Sequence, residues 1–161
     1  MAATKLSFDD FIQGMNVEDL DYAKNLHDYM LNNGCKATFE EKKTSLLCSY
    51  KHAKTKKSVI NVLVKKNGLF VRIYGENIGE YRDFLNTLPT EMVQSIEKSG
   101  TCARLANGGC SPKCSGYDFM IGDAHFQKCR YNCFEFLVNS DSNSHIRTFV
   151  ENELTARNSA V

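Results

Sequence analysis

The sequence predicts an α+β fold: an antiparallel sheet built from hairpins and packed with helices, with a cysteine-rich loop attached. Three features carry that expectation. Apolar residues recur at helical spacing near both ends and in the middle of the chain, a period of two runs from Cys35 to Tyr74, and turn signals separate the alternating runs. Strands and helices thus fall in blocks, which argues against a parallel α/β sheet. The expectation is a single domain over residues 1–161, with helices and antiparallel hairpins in 1–100. A cysteine loop, a hairpin and a carboxyl-terminal helix fill 101–161.

Ser7 followed by Asp10 forms a capping-box pattern ahead of Phe8, Phe11 and Ile12, and Asn16 can cap a second helix. Val17, Leu20, Ala23, Met30 and Leu31 fall near one face of that helix before Asn33-Gly34 ends it. Leu46, Cys48 and Tyr50 alternate in a strand, Ser58 to Val64 is rich in β-branched residues, and Asn67-Gly68 predicts a type I′ turn. Ile78, Tyr81, Phe84 and Leu85 mark a helical face that Leu88-Pro89 stops. Met92, Val93 and Ile96 belong to the helix starting at Thr90 and Glu91. Gly122-Asp123 joins Tyr117–Ile121 to Ala124–Lys128 as a tight hairpin, and Phe134, Phe136 and Val138 alternate as a further strand. Asp141, Ser142 and Ser144 are capping candidates for a last helix with Ile146, Phe149, Val150 and Leu154 on one side, fraying after Leu154.

Composition narrows the function. With 161 residues, 42% hydrophobic and 24% charged, the chain can bury a core without disulfides. A net charge of +1 favours neither nucleic acid nor an anionic membrane as partner. The amino terminus has early acids and no long apolar run, so neither a secretory signal nor a spanning helix is expected and the expected compartment is the cytoplasm. In a reducing compartment, seven cysteines are expected free or metal-bound.

Five of those seven are spaced Cys102-x7-Cys110-x3-Cys114-x14-Cys129-x3-Cys133. Two groups of soft ligands about a short hairpin is the layout of a structural zinc site, with four thiolates around the ion at about 2.3 Å. The common knuckle spacing is x2, so the x3 pairs depart from it. The expected ligands are Cys102, Cys110, Cys114 and Cys129, because Cys133 opens the Phe134/Phe136 strand and suits a core position. The alternative set has Cys133 in place of Cys102. Four thiolates leave a net charge of about −2 on one zinc, and Arg104, Lys113, Lys128 and Arg130 stand beside the ligands to offset it. An iron–sulfur cluster uses the same thiolates and is the alternative cofactor.

The run Cys110-Ser-Pro-Lys-Cys114-Ser-Gly-Tyr117-Asp-Phe119, then Lys128-Cys129-Arg130-Tyr131, together with Ile78-Gly79-Glu80-Tyr81-Arg-Asp-Phe84-Leu85, resembles a family of small uncharacterised cysteine-containing proteins of anaerobic Gram-positive bacteria. The resemblance implies a bacterial origin and a role for Cys102, Cys110, Cys114 and Cys129. It implies no mechanism.

Other patterns carry less. Lys51 to Lys57 holds four lysines and reads as a solvated loop protecting a sheet edge, against a phosphate-holding reading. His125 shares a face with Gln127 and Cys129 and is expected exposed. The aromatic set including Phe70, Tyr74, Tyr81, Phe84, Tyr117 and Phe136 suits a core as well as a pocket. No P-loop, dinucleotide fingerprint, nucleophile elbow or H-E-x-x-H occurs, so an enzyme is not the expectation. The leading reading is a zinc-stabilised module that binds a small molecule or a protein. A thiol-based redox or metal sensor is the alternative, and a metalloenzyme with an open position comes third. Composition sets no oligomeric state.

Overall fold

The computed structural model describes residues 6–103, 105, 108 and 116–159. Helix α1 (Phe8–Ile12) opens on the Ser7/Asp10 capping box, in which Asp10 N donates to Ser7 Oγ and Ser7 N to the Asp10 carboxylate. Helix α2 (Val17–Asn32) is capped by Asn16. Its buried stripe is Ala23, Leu26 and Met30, while Val17 is 73% and Leu31 44% exposed. The buried face is narrower than the sequence predicts: positions 23, 26 and 30 share one helical side, and Val17 and Leu31 lie off it.

Strands β1 (Cys35–Glu41), β2 (Ser45–His52), β3 (Ser58–Lys65) and β4 (Gly68–Ile73) form an antiparallel meander. The β3–β4 turn centres one residue earlier than expected. Lys65 pairs with Gly68, so Lys66 and Asn67 are the central residues, and the positive φ falls on Gly68 (140°) instead of Asn67. A Cβ at Gly68 would also come within 2.8 Å of the Leu137 side chain.

Two 3-10 helices, Ile78–Glu80 and Arg82–Thr87, replace the single helical face read after Gly75, because Tyr81 leaves helical geometry between them at φ −135°. Tyr81 and Phe84 nonetheless meet edge to face on the same ring, Phe149. Helix α3 (Thr90–Lys98) buries Met92 and Ile96. The ribbon β5 (Tyr117–Ile121) and β6 (Ala124–Lys128) turns at Gly122 as the sequence predicts. Strand β7 (Glu135–Leu137) returns to pair with β4, giving the order β1-β2-β3-β4-β7.

The register draws one apolar row across all five strands: Phe39, Cys48, Val62, Val71 and Phe136. Helices α1 and α2 cover its β1–β2 end, with Phe11 against Phe39 and His27 against Tyr50. The opposite face is mixed, with Leu63 buried, Phe70 half-buried and Leu137 42% exposed.

Helix α4 (Asn143–Ser159) packs on β3 and β4 and buries Ile146, Phe149, Val150 and Leu154. It does not fray after Leu154: Ala156 and Arg157 are buried as well. Glu153 explains this. Its fully buried carboxylate accepts from Asn77 N (3.0 Å), Asn77 Nδ2 (2.9 Å), Tyr81 OH (2.5 Å) and Arg157 Nε (2.7 Å). Arg157 also donates to the carbonyls of Lys57 and Tyr74, so the last turns are held from three directions. No described helix is long and apolar enough to cross a membrane.

Candidate functional site

The described cysteines of the cluster, Cys102, Cys129 and Cys133, flank the point where α3 hands the chain to the ribbon. Ser99 and Gly100 leave the helix, and Thr101 forms an isolated antiparallel bridge with Lys128 at the end of β6. Cys102 N then donates to Gln127 O and Cys129 N to Gly100 O, both at 2.8 Å. In such a ladder alternate residues share a side, so Cys102 and Cys129 fall on the same side of the pairing. Cys102 is 4% exposed, and a Cβ on Gly116 would collide with its Sγ, so only glycine fits there. Cys129 is half-buried.

Cys133 differs. One helical turn after Cys129, its N donates to Cys129 O at 3.1 Å, and its thiol enters the core with no exposure. Burial pushes that thiol well above its ordinary range, although Lys128 and Ser99 pull the other way. Cys35 and Cys48 are likewise core residues, on β1 and β2, and burial raises their thiols to about 11 and about 12. Cys110 and Cys114 lie outside the described residues, as do Arg104 and Lys113. Among the described residues, no three His, Cys, Asp or Glu side chains gather in a group that could hold a metal ion.

The two described cations among those read as offsetting thiolate charge have other partners. Lys128 is buried and donates to Glu97 O (3.0 Å) and Ser99 O (2.9 Å), capping the negative end of α3. Arg130 pairs with Glu76. Tyr117 stacks on Phe134, and neither its OH nor Arg130 Nε has a hydrogen-bond partner among the described residues. His125 is exposed and held across the ribbon by Asp118 at 2.6 Å, outside the junction.

Of the concavities that lie elsewhere, two bear on the residues singled out in the sequence. A groove of about 220 Å³ runs between α3 and β7, with Phe70, Met92, Phe136 and Leu137 among its walls. The remaining aromatic residues of the expected set are mostly core, as Tyr117 against Phe134 and Phe134 against Phe149 illustrate. A second cleft of about 280 Å³ brings Lys36 of β1 beside Lys51 and Lys56 of the β2–β3 hairpin. Sequence reading missed Lys36 because strand register, not sequence proximity, joins it to Lys51.

The fold defines the class: helices segregated around an antiparallel meander, with a two-stranded ribbon hung between α3 and the last strand. Comparison of the chain with family models, curated proteins and solved structures gave no match.

Proposed function

We propose that the chain is a binding module of the cytoplasm whose ribbon is fastened by a structural zinc ion on Cys102, Cys110, Cys114 and Cys129. The observation that carries this reading is the Thr101–Lys128 bridge, which sets Cys102 and Cys129 on one side of a short ladder although they are far apart in sequence. The core position of Cys133 supports four ligands from five thiols, because a thiolate with no exposure is costly and burial outweighs the pull of Lys128 there. Burial of Cys102 favours a structural ion over a thiol sensor, whose cysteine must meet its oxidant. Kinship with the cysteine-containing proteins of anaerobic Gram-positive bacteria belongs to the same proposal.

Metal analysis by mass spectrometry on untagged protein tests it. The expected result is about one zinc per chain, lost on changing Cys102, Cys110, Cys114 or Cys129 to Ser and kept in Cys133→Ser. Iron with sulfide, or a folded reduced protein with no metal, would overturn the zinc assignment.

A further inference from the structure

We infer that the cleft between β1 and the β2–β3 hairpin binds the dianionic phosphate group of a small phosphorylated molecule. This rests on the binding-module reading but not on the zinc ion. Lys36, Thr38, Lys51, His52, Ala53 and Lys56 line the cleft. Lys36 and Lys51 are directly opposed across the strand pair, an arrangement of like charges that destabilises a sheet. Among the described residues neither of them, nor Lys56, forms an ion pair.

Edge protection accounts for Lys36 on the outer strand β1. It does not account for Lys51 on the interior strand β2, or for Lys56. Lys56 is the one described non-glycine residue at positive φ (62°), a conformation that costs a lysine about 1 kcal/mol or more. That strained residue is part of the same cleft. The hairpin is also braced: Ala53 N donates to Gly34 O at 2.9 Å, and buried His52 bonds Asn158 Oδ1 through Nε2 at 2.9 Å and Thr55 Oγ1 through Nδ1 at 3.2 Å. Three lysines brought to one cleft by a braced hairpin, with no ion pair among the described residues, form a cationic rim that a phosphate group would complement.

The volume of about 280 Å³ suits one small molecule. No aromatic side chain lines the cleft, so a nucleic-acid strand would find no stacking platform there.

The test is a titration of the whole protein with inorganic phosphate, against chloride at matched ionic strength, followed by backbone amide NMR. Saturating shifts confined to residues around Lys36, Lys51, Ala53 and Lys56 are expected, with affinity falling about tenfold or more in Lys36→Gln/Lys51→Gln and unchanged in Lys98→Gln. A second readout is the urea midpoint. Phosphate should raise it in the wild type only, and without phosphate the double variant should be at least as stable as the wild type. Shifts that never saturate, or that spread over the lysines at large, would overturn the proposal. So would a double variant less stable than the wild type, which would make the lysines structural, or tighter binding of a single-stranded oligonucleotide over a wider footprint. The metal analysis leaves these outcomes untouched, so the two proposals can fail separately.

Discussion

Two carboxylates, Glu153 on α4 and Glu135 on β7, are each paired with an arginine, and they differ in what surrounds them. Glu153 has no exposure and receives four hydrogen bonds, while its partner Arg157, 3% exposed, has a carbonyl for each remaining arm. Glu135 is held by Lys65 at 3.1 Å and Arg72 at 2.8 Å, with side chains 19–32% exposed. Water can replace any partner of Glu135. Nothing can replace a partner of Glu153, so the first cluster is a structural clasp and the second a tolerant surface pairing.

The sharpest way to break the comparison is Glu153→Gln. It leaves Arg157 buried without its counter-charge, and the unfolding free energy should fall by about 3–5 kcal/mol in urea titrations. Loss of protection in the last two turns of α4 by hydrogen exchange should accompany it. Glu135→Gln should cost only about 0–1 kcal/mol in the same assay, since Lys65 and Arg72 return to solvent. An equal loss from both would erase the distinction.

A smaller effect concerns a group that is kept neutral. His27 stacks on Phe8 at 3.9 Å and bonds Tyr50 OH at 2.7 Å, and burial holds its pKa below the ordinary value of 6.5, Asp28 opposing. With the folded pKa depressed, the unfolded chain takes up the proton first. Stability is therefore full above about pH 6.5 and declines as pH falls from there towards the folded pKa. The urea midpoint should drop between about pH 7.5 and pH 5.5, and His27→Gln should flatten that slope.

Elements defined by near neighbours were legible in the sequence. The Ser7/Asp10 box, the Gly122-Asp123 ribbon and the Ile146/Phe149/Val150/Leu154 stripe each depend on residues a few positions apart. The core position of Cys133 was legible too, as a small apolar side chain opening the Phe134/Phe136 run. The end of α4 was not, because Glu153 and Arg157 look like a surface pair until Asn77, 76 positions away, and Lys57, 100 positions away, supply their partners. The basic cleft was hidden for the same reason. The use of Lys128 as a helix cap was hidden by another: its acceptors are backbone carbonyls, which leave no mark on composition.

The pairing of β7 with β4 also sets an order of events. Each strand of the meander finds its neighbour through a short hairpin, whereas Arg72 and Glu135 are 63 positions apart. The entropy of closing so long a loop must be met before the pairing returns any hydrogen bond, so β7 docks onto a meander that already exists. Helix α3, the ribbon and the thiols of Cys102, Cys129 and Cys133 all lie inside that loop. Cys35 and Cys48 should therefore be protected from a thiol reagent earlier in refolding than the cysteines of the junction.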